Sequence, residues 1–436
     1  MAPSSASERS HHKGADMKTQ EAINTFVKET GGWVAAQLEA CTRCGMCAEA
    51  CHFYQATGNP EYAPVWKLEL LRRAYEQRFT ISGKARLALG IDKPITDADL
   101  THWSTLLYEA CTLCNKCSMV CPMGIDIGPL LHNVRSALSE AEVVPLELMA
   151  AVNKQVTEGS PLGVTDSVWD DRMEWVADEW EVELPIDVKG ADMLVVFSSI
   201  EIMKFPENIS AIAKILNKAG EKWTLSRQGR EVVNFGFYEG SEKRTKLFMQ
   251  RVFDAAKALG VKRVLVTECG HAYDALRWTA ANIMDVPAGL EVIHIAGLIG
   301  DYVRSGRIKL KPGAYDNDGT ITFHDACKIQ RRGGHIKEPR EVLNILAPHA
   351  FKEMTPNKEE AICCGGGGGV IAIKAADPQR YAVFQLKIDQ MKKVGAKTVA
   401  MTCSNCRLQF TDSVKHFNVD VKIAGLSQMV ADALED

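Results

Sequence analysis

The sequence predicts a multidomain protein of mixed α+β and α/β character: a helical, cysteine-rich N-terminal part followed by a duplicated α/β part. Three observations predict it. Two complete C-x2-C-x2-C-x3-C runs stand in the first third of the chain. From Ala191 onward, short apolar runs alternate with helical stretches, the pattern of layered, largely parallel α/β structure. Within that region one unit recurs, and its second copy carries five cysteines, Cys327, Cys363, Cys364, Cys403 and Cys406.

The 436 residues are enough for two or three domains with proper cores. Hydrophobic content of 46%, charged content of 24% and a net charge of −4 are ordinary for a globular protein and give no argument for nucleic acid. No run of about 18 apolar residues exists to span a membrane. Residues 1–20 have no apolar signal region and read as a disordered polar tail that includes His11 and His12. The 14 cysteines fall in tight clusters, which favours metal or redox chemistry over a disulfide scaffold.

Residues 21–150 form the helical part. Cys41, Cys44, Cys47 and Cys51 make the first run, and Cys111, Cys114, Cys117 and Cys121 the second. This is the bacterial ferredoxin spacing, in which the fourth cysteine of one run ligates the other run's cluster. One [4Fe–4S] cubane is therefore assigned to Cys41, Cys44, Cys47 and Cys121, and a second to Cys111, Cys114, Cys117 and Cys51. A single run is compatible with a zinc knuckle; two complete runs argue against it. Pro122 follows the second run, whereas His52 stands at that place in the first and is not read as a ligand. Between the runs lies an inserted helical segment, with Pro64 suited to a first turn and Thr96 to an N-cap.

Residues 151–190 are acidic, hold Trp169, Trp175 and Trp180, and read as a connector with tryptophans as packing anchors. Residues 191–315 and 316–436 are the two copies. Strands are expected at 193–197, 263–267, 291–295, 320–323, 397–402 and 419–423, with helices at 206–219, 242–259 and 376–394. Laying 395–406 on 260–271 puts Cys403 on Glu268 and Cys406 on His271. Laying 360–365 on 231–236 puts Cys363 and Cys364 on Asn234 and Phe235, and laying 321–327 on 194–200 puts Cys327 on Ile200. The first copy thus keeps the pattern without the aligned thiols and retains one displaced cysteine, Cys269. Glu268, Cys269 and His271 are candidates for proton transfer or a redox thiol; the alternative is decay of an unused site.

Five soft ligands exceed the four of a tetrahedral zinc site and suit a larger iron–sulfur assembly. The run Gly365–Gly369 lacks a phosphate-loop pattern and reads as room for close backbone approach to a cluster. Lys328, Arg331 and Arg332 follow Cys327 and are either an anion-attracting group or a solvated basic loop.

Paired ferredoxin runs followed by C…CCG…CxxC resemble the catalytic subunit of heterodisulfide reductase in its fused form, and the DsrK-type subunit of the membrane complex of dissimilatory sulfur metabolism. The resemblance covers about residues 35–436. It implies a duplicated cysteine-rich (CCG) domain. It further implies a noncubane [4Fe–4S] cluster on Cys327, Cys363, Cys364, Cys403 and Cys406 that cleaves or forms a disulfide in one-electron steps, fed by the two cubanes. The heterodisulfide enzyme carries two complete five-cysteine motifs; this chain carries one, as the K-type subunits do. The resemblance implies a small disulfide, thiol or protein-carried sulfur substrate. It implies redox partner subunits, a membrane cytochrome b-type subunit or a flavoprotein, and a cytoplasmic place peripheral to the inner membrane. The competing reading is an electron-relay iron–sulfur subunit of a glycolate, lactate or glycerol-phosphate flavin dehydrogenase.

Overall fold

The structure, a computed structural model, describes residues 6–435. The chain divides into two units. One holds the residues up to Met149 together with Tyr238–Ser241 and Gly367–Val383; the other holds Ala150–Phe237, Glu242–Gly366 and Phe384–Asp436. The first unit therefore gathers two short segments from far along the sequence, which differs from the contiguous 21–150 expected.

The first unit is helical. A helix spans Ala6–Glu29, so the stretch expected as a disordered tail is helical from Ala6 onward; residues 1–5 lie outside the described residues. The cause is local and tertiary: the segment contains no proline and is rich in good helix formers, and Ala22 and Phe26 are buried. Pro64 opens the short helix Pro64–Lys67. Thr96 caps the helix Asp97–Ser104 through a capping box with Asp99. Arg72 is buried and donates to the Leu38 carbonyl at 2.9 Å. Arg135 is fully buried and donates to the carbonyls of Leu107, Cys111, Tyr238 and Gly368. One guanidinium thus ties the second cysteine run to both late segments of the unit.

The second unit is α/β. Strands β1 (Met193–Val196), β2 (Trp223–Thr224), β3 (Arg263–Val266) and β4 (Glu291–His294) make a parallel sheet in the order β2-β1-β3-β4. Strands β5 (Ile321–His324), β6 (Thr398–Met401) and β7 (Lys422–Gly425) make a parallel sheet in the order β5-β6-β7. Central strands such as MLVV and TVAM are buried at every position, as expected where both faces are covered. The helices Glu207–Lys218, Glu242–Leu259 and Asp377–Val394 lie within a residue of their expected bounds. The last strand starts three residues late, after a turn in which Asn418 has φ 51° and the Val421 N–H donates to the Val419 carbonyl at 3.0 Å. The connector joins this unit: Trp169, Met173 and Val176 belong to its core, whereas Trp175 is exposed and packs edge-on to Trp180.

The two sheets repeat each other bond for bond. The N–H groups of Lys262 and Arg263 donate to the Asp192 carbonyl, and those of Lys397 and Thr398 donate to the Thr320 carbonyl. A parallel bridge from Ile321 to Phe351 takes the place of the β1–β2 pairing. Arg263 pairs with Met193, and Thr398 with Ile321. Met193 therefore matches Ile321, which moves Cys327 onto Ser199 rather than Ile200. A strand buried on both faces has no alternation to fix its register in sequence, so a one-residue slip goes unnoticed. Both copies also send the chain into the helical unit at matching places, Tyr238 and Gly367.

Candidate functional site

In the helical unit the eight cysteines of the two runs line two separate cavities. One is lined by Cys41, Cys44, Cys47 and Cys121, with Val65, Leu68 and Pro122. The other is lined by Cys51, Cys111, Cys114 and Cys117, with His52 and Lys67. Each cavity thus takes three cysteines from one run and the last from the other. The loops that achieve this share one backbone device. Arg43 and Gly45 have φ of 57° and 80°, and the matching Leu113 and Asn115 have 52° and 62°. Left-handed backbone at arginine and leucine is costly and persists where the surroundings over-determine it.

The thiols in each cavity hinder one another's ionisation. Burial pushes Cys47 up to about 11, opposed by the Val65 backbone N–H and reinforced by Cys41 and Cys121. Burial also raises Cys117 well above the usual thiol range, with Cys114, Cys111 and Cys51 adding to it. Four converging thiols with no disulfide among the described cysteines form a donor set that a polynuclear iron cation would deprotonate and neutralise. His52, at the place of a proline, sets Nδ1 4.0 Å from Cys114 Sγ and Nε2 3.4 Å from Thr112 Oγ1.

In the α/β unit, β5 and β6 are neighbours, with His324 opposite Met401. Cys327 and Cys403 therefore leave the same C-terminal sheet edge, the usual place for a site in such sheets. Hydrogen bonds from Cys363 and Cys406 hold Cys364 well below the ordinary thiol range, with His324 adding to them. Cys406 is pushed well above it, because its thiol donates to Cys364 and Cys403. Cys403 is lowered by Cys406 and by the backbone N–H groups of Cys406 and Gly270. Four of the five cysteines are thus joined through sulfur, and all five are buried.

Side chains that sequence reasoning did not single out complete this site. The possible donor atoms of His324, Cys364 and Cys406 lie within 4.8 Å of one another. Lys387 is buried, donates to Gln390 Oε1 at 2.8 Å, and is lowered to about 8 by burial, opposed by Asp325 and by Cys363, Cys364 and Cys406. Asp325 receives a two-pronged ion pair from Arg340 at 2.9 Å. The only sequence signal for these residues is proximity: His324 and Asp325 directly precede the turn to Cys327.

The first copy borders this site. Cys269 lies beside Cys403; burial first, then Cys403, then Glu201 raise it well above the thiol range. The Glu268 carbonyl accepts from Ser404 N–H at 2.6 Å, and Ser198 Oγ is 3.2 Å from Ser404 Oγ. The Glu268 carboxylate turns instead to the Ser427 N–H, at 3.1 Å, and is pushed up to about 7 by burial, opposed by Arg407. His271 lies by Asp274, whose carboxylate binds Lys328 at 2.8 Å and Arg332 at 2.6 Å. These two basic residues are therefore paired within the protein. The glycine run approaches protein rather than open space: a Cβ on Gly368 would stand 2.8 Å from the Thr112 backbone, and one on Gly366 would stand 2.7 Å from Gln409.

Comparison with known proteins finds two matching domains. Residues 37–125 match the 4Fe-4S dicluster domain, and residues 321–411 match the cysteine-rich domain CCG. The chain is 26% identical over 446 residues to an Hdr-like menaquinol oxidoreductase iron–sulfur subunit of Archaeoglobus profundus, covering 91% of this chain and 79% of that one. It is 27% identical over 408 residues to a subunit of the dihydromethanophenazine:CoB–CoM heterodisulfide reductase of Methanosarcina acetivorans, covering 91% and 94%. It is 24% identical to the EtfAB:quinone oxidoreductase of Syntrophomonas wolfei, covering 93% of this chain and 60% of that protein. Two cysteine-lined cavities in a helical unit, a thiol site on a parallel sheet edge, and both domain matches in that order make this chain an iron–sulfur protein similar to the oxidoreductase subunits of heterodisulfide reductase-like complexes.

Proposed function

We propose that the chain is the subunit that reduces or forms a disulfide, using a noncubane [4Fe–4S] cluster on Cys327, Cys363, Cys364, Cys403 and Cys406. Two cubanes on the crossed cysteine sets would carry electrons to or from it. The observation that carries this reading is the sulfur network joining Cys363, Cys364, Cys403 and Cys406, with a thiol from outside the five-cysteine set, Cys269, beside it. Clusters bound at these sites supply one-electron transfer. Disulfide reduction breaks one S–S bond, takes two electrons and gives each sulfur a proton. The remaining work falls to the chain. Lys387, His324 and the Gly270 N–H hold the ligand thiolates against their burial. Cys269, beside Cys403, would serve as the redox thiol and His271 as a proton carrier, with Glu268, pushed up to about 7, as a proton reserve. The electrons pass between this subunit and redox partner subunits, a membrane cytochrome b-type protein or a flavoprotein. Among the described residues no helix is long and apolar enough to cross a membrane, which suits attachment to such a partner.

The test is anaerobic purification with iron analysis and EPR. Three four-iron clusters predict about twelve irons per chain. A thiol added to oxidised protein is expected to produce a new paramagnetic signal, and Cys364→Ser is expected to abolish it while leaving the ferredoxin-type signals. The EtfAB:quinone oxidoreductase relative favours a second reading, an electron relay for a flavoprotein. Intact clusters without the thiol-dependent signal would select that reading.

A further inference from the structure

The two cavities of the helical unit differ in their charged surroundings. The short helix Pro64–Lys67 reaches both: Val65 gives its backbone N–H to Cys47, and Lys67 turns to the other cavity. Lys67 is 1% exposed, and its Nζ lies 4.0 Å from Cys51 Sγ. The same ammonium donates to the Ala110 carbonyl, one residue before Cys111. It also lies over the Phe53 and Tyr62 rings at 5.5 and 5.7 Å. Arg135 stands behind this cavity too, with its guanidinium on the Cys111 carbonyl at 2.7 Å. Among the described residues, the cavity of Cys41, Cys44, Cys47 and Cys121 has no such neighbour. Its one charged lining residue, Arg43, is half exposed and paired with Glu76 at 3.0 Å; the rest of its lining is apolar or uncharged.

We infer that Lys67 sets the two ferredoxin-type sites apart, making the one on Cys51, Cys111, Cys114 and Cys117 the easier to reduce. The inference rests on the reading that these cysteines hold clusters. One-electron reduction adds one negative charge to a site. A cation held in dry surroundings 4.0 Å from a ligand sulfur favours the reduced form, whereas a charge in water is screened. Hydrogen bonds to the sulfurs, net charge and exposure are the levers a protein has on such potentials, and Lys67 works two of them at once. The aromatic faces and the Ala110 carbonyl hold the ammonium in place. The segment inserted between the two cysteine runs thus supplies the group that distinguishes their sites.

The experiment is a potentiometric titration of the anaerobic, cluster-loaded full chain with dithionite, followed by EPR. It compares wild type with Lys67→Gln, Lys67→Met and Lys67→Arg, each with its iron content measured. In wild type, two ferredoxin-type steps are expected at separate potentials. The higher one should shift to more negative potential in Lys67→Gln and Lys67→Met, closing the gap, and stay near its wild-type position in Lys67→Arg. Cys51→Ser identifies the step, since it should alter that same signal. Should Lys67→Met lose iron, the Gln and Arg pair decides. Unmoved steps in iron-replete Lys67→Gln, or an equal shift in Lys67→Arg, would overturn the role of Lys67 alone. Absence of both ferredoxin-type signals from wild type would overturn the cluster assignment beneath it.

Discussion

Glu231 is buried in the first copy of the repeat, where one carboxylate oxygen accepts from the N–H groups of Ser199, Val232 and Val233 at 3.2, 3.0 and 2.8 Å. The other accepts from Ser160 at 2.9 Å. Burial outweighs these bonds and pushes the carboxyl from 4.5 to about 7. The folded state therefore favours the proton. The associated stability is complete below about pH 4.5 and is lost as pH rises to about 7, on the order of 3 kcal/mol in all. Glu231→Gln keeps the accepting oxygen and removes the titration. Its unfolding midpoint is expected to fall less than wild type's between pH 5 and pH 8, measured by thermal scans of the anaerobic protein. An unchanged slope would place the titrating group elsewhere. Nothing in the sequence marked Glu231: its surroundings come from Ser160, Ser199 and the turn at 232–233, which only the fold assembles. The cysteines were legible because ligand chemistry fixes residue type and local spacing. His324, Lys387 and Lys67 were not, because one ordinary residue in a helix or strand carries no spacing to read.

At the scale of elements, the two cysteine loops are the clearest repeat in the helical unit, and their left-handed positions give a sharp expectation. Asn115 takes the place of Gly45 at nearly the same backbone angle, with φ of 62° against 80°. Gly45→Asn is therefore expected to be tolerated, whereas Gly45→Val should lose iron from the first site, since a β-branched residue is poorly suited to that region. At Gly368, φ is 63° and an added Cβ would meet the Thr112 backbone at 2.8 Å. Gly368→Ala should destabilise by roughly 1–3 kcal/mol, read as a lower thermal midpoint with disturbed EPR of the second site. The glycine run was legible as a place of close approach, but the object approached was not: it is the backbone next to Cys111. Six of the seven strands among the described residues were readable to within a few residues from their apolar runs; the two-residue strand Trp223–Thr224 was not expected. The register between the repeats was not, and the slip that moves Cys327 from Ile200 to Ser199 follows from strands buried on both faces.

At the scale of the whole molecule, the order of domains followed from the order of motifs. The discontinuity did not, because it depends on which distant carbonyls one buried guanidinium collects. Arg135 binds Cys111, Tyr238 and Gly368 together. A fragment ending at residue 150 would leave its donors short of two acceptors in a buried place, which is costly for a charged group. Such a fragment is expected to be poorly soluble or to hold fewer than the about eight irons of two cubanes, checked by iron per chain against the full-length protein. A soluble fragment with full iron would show that the late segments are dispensable. The same guanidinium also sets a clock for biosynthesis. At about 5–20 residues per second, a ribosome reaches Gly368 roughly ten to fifty seconds after Cys111. The loop around Cys111 is complete only then, so the second site of the first-made unit becomes ready for iron delivery after three of the five later cysteines, Cys327, Cys363 and Cys364, have been made.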